Sequence, residues 1–187
     1  MSLRALSLVL CLACGGGAHA FDLGTLMNQL ASRGDAAASF TEEQTLAALD
    51  RPLKSSGELR YEAPGRLVKR TLEPRAETLR YEDGVAWSER GGRARKVDLR
   101  RYPQVLPLVE SIRATLAGDR NALEHLFEPM LEGDESAWRL RLVPRGPQAR
   151  ELIRVIRIEG RGADIATLTL ERPNGDRTVT TLMPHAP

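Results

Sequence analysis

The sequence predicts an α+β fold that is mainly β: an antiparallel sheet curved into an unclosed barrel, a half-barrel, with helices covering one face. Three observations carry this. Most of the chain consists of short stretches in which apolar and charged residues alternate, the period-2 pattern of strands with one buried face. Turn signals of the Pro-Gly, Asp-Gly and Gly-Gly kind separate those stretches. Between Pro103 and Phe127 the period switches to that of helices. A sheet with one apolar face must cover it, and these strands are too few for a well-filled sandwich. The helices are the available cover. The apolar space between them is either a packed core or a cavity of lipid size.

Phe21 to Arg33 reads as an amphipathic helix, with Leu23, Leu26, Met27 and Leu30 at helical spacing, Asp22 as its cap and Gly34-Asp35 as its stop. Ser39 to Leu46 is the first strand. Ser56 to Glu62 alternates, with Leu59 and Tyr61 on one face and Glu58 and Arg60 on the other, and Pro64-Gly65 turns it into Arg66 to Leu72. Glu77 to Tyr81 and Val85 to Arg90 form a hairpin through Asp83-Gly84. After Gly91-Gly92, Ala94 to Leu99 closes this run of strands. Pro103 to Leu116 then carries Leu106, Val109, Ile112 and Leu116 as an apolar helical stripe that Gly118 ends. Asp119 caps a second helix running through Leu123, Leu126 and Phe127. Strands resume at Trp138 to Leu142, and Gln148 to Ile153 is a short helix running into Val155 to Glu159. Asp164 to Glu171 and Arg177 to Met183 are the last strands, joined by Pro173-Asn174-Gly175-Asp176.

The first twenty residues read as a secretory signal, which leaves 21–187 as a single domain. Arg4 gives the positive n-region. Ala5 to Ala13 is apolar apart from Ser7, and Ala18-His19-Ala20 is an A-x-A cleavage site before Phe21. The apolar run is about half the ~20 residues a membrane span needs. Gly15-Gly16-Gly17 would break a buried helix there. Both cysteines, Cys11 and Cys14, lie inside this segment, so cleavage leaves no thiol and no disulfide. A second processing route stays open: Cys11-Leu12-Ala13-Cys14-Gly15 is lipobox-like, and cleavage before Cys14 would leave a lipid-anchored chain. Either route implies export to the periplasm.

Composition excludes several classes of function. The net charge is +2, falling to +1 without Arg4, and arginines are interspersed with acidic residues. That is a mixed solvated surface with few aromatics, not a nucleic-acid stripe. Beyond the signal the histidines are His125, in a helix without a nearby hydroxyl or thiol partner, and His185, near the C-terminus. No G-x-S-x-G, H-E-x-x-H or P-loop string occurs. Glu42 and Glu43 are adjacent in a strand, so they face opposite ways and cannot share one substrate atom. Glu132, Asp134 and Glu135 lack the spacing of a calcium loop and read as a solvated turn. The expectation is a binding protein that is not an enzyme, with no cofactor and no metal.

Several strings, in order, resemble the LolA-type outer-membrane lipoprotein carrier family. Ser39-Phe40-Thr41-Glu42 is similar to its S-F-T-Q strand, and Gly57-Glu58-Leu59-Arg60-Tyr61-Glu62-Ala63-Pro64 to its G-x-L-x-[VY]-x-x-P strand and turn. Asp83-Gly84-Val85-Ala86-Trp87 resembles its D-G turn leading to a Trp, one residue shorter. The chain departs from the pattern at Glu42, at Ala63, where the family has a lid-holding arginine, and at Ser88-Glu89-Arg90. It looks closest to a divergent branch associated with gene clusters for aryl polyenes or other lipid-linked pigments. The resemblance implies an unclosed antiparallel barrel under a helical lid, LolA/LolB-like. It also implies an apolar cavity for the acyl chains of a lipid, lipoprotein or lipid-linked product, shuttled from inner to outer membrane. Transient partners would be an inner-membrane transporter and an outer-membrane acceptor, with the carrier a monomer. A lipid-anchored acceptor or interaction module, LolB-like, is the other reading.

The expected lining residues are Leu59, Tyr61, Leu79, Tyr81, Trp87, Trp138, Leu140 and Leu142 from strands, and Leu106, Val109, Ile112 and Leu116 from the lid helix. Arg66, Arg70, Arg100 and Arg101 are candidates to meet an anionic head group, or to be plain surface.

Overall fold

A computed structural model describes residues 21–185; the expected signal segment, Cys14 included, lies outside the described residues. Asp22 accepts a hydrogen bond from the Thr25 backbone N–H (2.8 Å) and so starts α1 (Leu23–Arg33), which buries Leu26, Met27 and Leu30. Six strands follow in sequence: β1 (Ala36–Thr45), β2 (Leu53–Glu62), β3 (Arg66–Glu73), β4 (Glu77–Glu82), β5 (Val85–Arg90) and β6 (Arg93–Asp98). A 3₁₀ turn, Leu99–Arg101, leads into α2 (Leu106–Leu116) and α3 (Arg120–Leu126). The chain then returns to strands in β7 (Phe127–Asp134) and β8 (Ala137–Pro144). A short helix, α4 (Pro147–Leu152), precedes β9 (Val155–Arg161), β10 (Asp164–Glu171) and β11 (Arg177–Pro184).

All eleven strands form one antiparallel sheet in the order β6-β5-β4-β3-β2-β1-β11-β10-β9-β8-β7. Two meanders, β1 to β6 and β7 to β11, are joined where β1 pairs with β11. The sheet does not close: β6 and β7 are its edges, and α2 and α3 connect them. A connection from one edge to the other must cross a face of the sheet, which is why the helices cover it. The mainly β, unclosed and helix-covered architecture expected from the sequence is the one observed.

Several boundaries differ, with β1 and β2 each starting three residues earlier than expected. The lid helix begins at Leu106 and not at Pro103, because the chain first makes the 3₁₀ turn. The short helix begins at Pro147, one residue before Gln148. The larger difference is β7, which sequence periodicity misses. Its burial alternates, with Phe127 buried and Pro129 and Leu131 half-buried, but Pro129 and Gly133 are residues that strands avoid. Glu132 therefore sits in a strand, while Asp134 organises the turn by accepting from the Ser136 and Ala137 backbone N–H groups (2.8 and 3.2 Å).

The main core lies between α1 and the β7–β11 half of the sheet. There Leu26, Leu123, Phe127, Leu140, Leu142 and Ile158 have no accessible surface at all. Burying each gains about 1.5–3 kcal/mol, so this half is the stable platform of the molecule. Two glycines, Gly57 in β2 and Gly160 in β9, let aromatic rings pack tightly on the sheet. A Cβ at Gly57 would lie 2.0 Å from the Arg70 carbonyl oxygen, and the Phe40 ring covers the gap from the neighbouring strand. Gly160 is covered in the same way by Trp138, whose indole N–H donates to the Gly162 carbonyl (2.9 Å).

Candidate functional site

The other half of the covered face is packed differently. Tyr61, Leu67, Tyr81 and Leu99 form a second, smaller cluster, with α2 resting on it. Helix α2 buries its small side: Ser111, Ala114 and Thr115. Its large apolar stripe, Leu106, Val109, Ile112 and Leu116, is only half-buried. Between this stripe and the sheet lies a cavity of about 340 Å³. Its walls come from β1 to β5 and from β9 to β11, which shows how far the sheet curls around the helix. An apolar stripe over an unfilled apolar cavity is surface prepared to be covered by something else.

The structure divides the twelve expected lining residues into groups. Leu59, Leu79, Tyr81, Val109 and Ile112 line the cavity, together with Leu67, Leu108, Ile156, Leu168 and Leu170, which sequence reasoning left out. Leu106 packs on the Tyr61 cluster, and Leu116 with Tyr61 closes a narrow cleft beside Leu59. Tyr61 donates its hydroxyl proton to the Pro64 carbonyl (2.9 Å). Trp138, Leu140 and Leu142 belong to the packed core under α1. Trp87 stands on the opposite face, with the Arg80 guanidinium 4.5 Å and the Lys96 ammonium 5.5 Å from its ring. The reason is register. The two-residue Asp83-Gly84 turn sets Tyr81 opposite Ala86, which leaves Trp87 opposite Arg80. Of the four arginines expected near a head group, Arg66 is paired with Glu62 and Glu82, and Arg100 with Asp98.

Sequence reasoning also missed a charged pair in the cavity wall. Lys69 Nζ lies 2.7 Å from the Glu42 carboxylate and 4.7 Å from the centre of the Phe40 ring. Only 10% of the Glu42 side chain is exposed. Thr180 Oγ1 donates to it (3.0 Å), as does the Gln44 amide (3.2 Å). Burial pushes the Glu42 carboxyl up, but Lys69 and these donors outweigh it and hold the group below its ordinary value. The signal was available: a Pro-Gly turn that sets Glu62 opposite Arg66 also sets Leu59 opposite Lys69. Glu43 points the other way, as expected for its neighbour in a strand, and reaches Lys54 on the exposed side.

Among the described residues, no helix is long and apolar enough to cross a membrane, and no three His, Cys, Asp or Glu side chains gather as a metal site. The sequence profile described as outer membrane lipoprotein carrier protein LolA-like matches residues 15–186. The chain belongs to this LolA-like family. No curated protein matches it. Similar solved structures include a LolA superfamily protein from Nitrosomonas europaea (7% identity, 88% of this chain and 92% of that chain, TM-score 0.47). A DUF1329 family protein from Desulfovibrio piger is another (12% identity, 87% and 89%, TM-score 0.49). A third is the Pseudomonas aeruginosa MucA/MucB complex (17% identity, 88% of this chain and 58% of that chain, TM-score 0.47).

The LolA-like pattern has an arginine before the turn proline, and here that position is Ala63. The guanidinium beside this turn comes instead from the lid. Arg113 of α2 lies against it, its Cδ 3.6 Å from where a Gly65 Cβ would stand. Arg113 Nε donates to Glu110 (2.8 Å) and its Nη2 to Asp119 (2.9 Å), the residue whose other oxygen caps α3 at Ala122 (3.0 Å). The Tyr81 hydroxyl of β4 closes the chain by donating to Glu110. Burial, then the Glu110 carboxylate, push the Tyr81 phenol above its ordinary value, so it stays a donor. Burial disfavours the Arg113 charge, yet Asp119 and Glu110 hold it firmly protonated. One hydrogen-bonded chain thus ties α2 and α3 to the sheet at Tyr81, a residue of the cavity wall.

Proposed function

We propose that this LolA-like protein is a periplasmic carrier that holds acyl chains of a lipid, lipoprotein or lipid-linked product under α2. It would take that cargo from an inner-membrane transporter to an outer-membrane acceptor. The observation that carries this reading is the half-buried apolar stripe of α2 over the cavity. Burial of one methylene gains about 0.8 kcal/mol, so a single acyl chain supplies enough free energy for firm binding in water.

Release needs a lid that moves, and the parts differ in the way this requires. The core under α1 is filled and takes in Ala114 of α2, while the cavity-facing side of α2 rests on the Tyr61 cluster and on the hydrogen-bonded chain from Tyr81 to Asp119. A displacement of α2 that keeps Ala114 seated would open the cavity without unpacking the residues under α1. Glu42 and Lys69 give the wall one polar spot, suited to the head of an amphiphile. Nothing in this mechanism calls for bond chemistry, which fits a family of carrier proteins.

Lipid mass spectrometry of the protein purified from an envelope extract tests the reading. Co-purifying acylated molecules at near-equal stoichiometry support it. Consistently empty protein that also fails to bind a fluorescent fatty acid refutes it. Intact mass of the same sample separates the two processing routes: a chain starting at Phe21 is a soluble shuttle, and an acylated Cys14 marks an anchored acceptor.

A further inference from the structure

The β5–β6 hairpin and the 3₁₀ turn after it carry an unusual concentration of charge. Arg90, Arg93, Arg95, Lys96, Arg100 and Arg101 stand there against Glu89 and Asp98. That is a net +4 in a chain whose total is +2, which leaves all other residues at −2. All six cations are exposed. Among the described residues only Arg100 is in an ion pair, with Asp98. Arg90 and Arg93 are direct cross-strand partners, an arrangement of like charges that costs stability when nothing neutralises it.

Edge protection explains charge on a terminal strand but not its sign. The opposite edge, β7, carries Glu128, Glu132 and Asp134 and no base. The acids of that edge meet arginines in and just after β8, Glu132 with Arg139 and Glu128 with Arg145, so the unbalanced charge lies on the β5–β6 edge. The cationic edge lies beside the cavity: Leu79, in the cavity wall and 40% exposed, pairs with Ser88 of the hairpin. Exposed Val97 and Tyr102 lie among the cations.

We propose that this hairpin docks the protein onto an anionic phospholipid surface. Five of the six cations are arginines, whose guanidinium forks match phosphate oxygens in pairs. They are spread over both faces of the hairpin and around its tip, and an aliphatic and a phenolic side chain stand beside them. That layout fits a fluid layer of phosphates with apolar groups beneath it better than the fixed carboxylate pattern of one protein. Docking there brings the exposed cavity wall to the bilayer, whatever molecule the cavity holds.

Co-sedimentation of the purified protein with vesicles tests this, comparing pure phosphatidylcholine with mixtures containing phosphatidylglycerol. Each surface cation contributes about 1 kcal/mol of attraction to an anionic leaflet, about fivefold in partitioning. The combined Arg93→Gln, Arg95→Gln and Lys96→Gln variant should therefore partition about a hundredfold less, with unchanged circular dichroism and unchanged fatty-acid binding. Wild-type binding should vanish in about 1 M salt, where the screening length falls to ~3 Å. Equal binding to both vesicle types, binding to neither, or an unaffected triple variant overturns the proposal. Capture of an acidic protein by the hairpin without vesicle binding overturns it as well. The salt arm uses the unmodified protein, so it holds even if a variant misfolds.

Discussion

Leu79 and Leu140 are both leucines on the covered face of the sheet, and sequence reasoning expected both to line the cavity. The structure assigns them different work, so truncating each to alanine should give opposite results. Leu140 has no accessible surface and packs under α1. Leu140→Ala leaves a hole in a filled core and should cost 2–5 kcal/mol of stability. Ligand affinity of the protein that remains folded should hardly change. Leu79 is 40% exposed in the cavity wall. Fully burying a leucine gains about 2.5 kcal/mol, and the cargo must cover the exposed two-fifths, so about 1 kcal/mol of binding depends on it. Leu79→Ala should thus weaken fatty-acid binding about fivefold while costing only about 1 kcal/mol of stability, because it borders space that is already empty. Urea unfolding followed by circular dichroism gives the first quantity, and titration with a fluorescent fatty acid gives the second. If Leu79→Ala leaves affinity untouched while Leu140→Ala lowers it, the assignment of cavity and core is wrong.

Tyr81→Phe removes the hydroxyl that ties α2 to β4 through Glu110. A hydrogen bond to a charged group is worth about 1.5–3 kcal/mol, so ligand release measured by stopped flow should quicken about tenfold or more; an unchanged release rate would remove this contact from the lid. The Tyr81 phenol is raised in the folded state, so its contribution is intact below the unfolded value of about 10 and is lost as pH climbs past it. Melting temperature should accordingly fall more steeply above pH ~10 in the wild type than in Tyr81→Phe. Glu42 has the opposite sign: its folded value is depressed, so its contribution is present above the unfolded value of ~4.3 and fades as pH falls. Glu42→Gln should lower stability at neutral pH, where it leaves Lys69 unpaired, and flatten the acid limb of the stability profile. Gly57→Ala forces a Cβ against the Arg70 carbonyl oxygen and should destabilise by about 2 kcal/mol or more, with scanning calorimetry as the check.

How much was legible in the sequence differs between fold and site. The strands, their turns and the lid helix follow from local pattern, because each apolar alternation and each D-G or P-G signal is complete within a few residues. β7 was hidden although its burial alternates, because Pro129 and Gly133 are residues that strands avoid and Pro129 lacks a backbone donor. The site depends on which residues share a face across strands, which is a matter of register. Tyr81 lies on the covered face, the face that alternation within its own strand gives it. Trp87 was misplaced because its face is set by the turn two residues before it. Lys69 was overlooked because a lysine in an apolar strand looks like its exposed neighbour Arg70 until the pairing with Leu59 is known. The division between filled core and open cavity was not legible at all. Leu140 and Leu79 have the same local pattern, and only the position of α1 and α2 over the sheet separates them.

The central claim is that an acyl chain fills the space under α2, and chain length tests it most directly. Dissociation constants for a saturated fatty-acid series, measured by displacement of a fluorescent analogue, should fall about fourfold per added methylene, the equivalent of ~0.8 kcal/mol. The gain should stop once the cavity of about 340 Å³ and its exposed wall are covered. Affinities that do not change with chain length would contradict the account, because they would mean that no apolar chain is being buried.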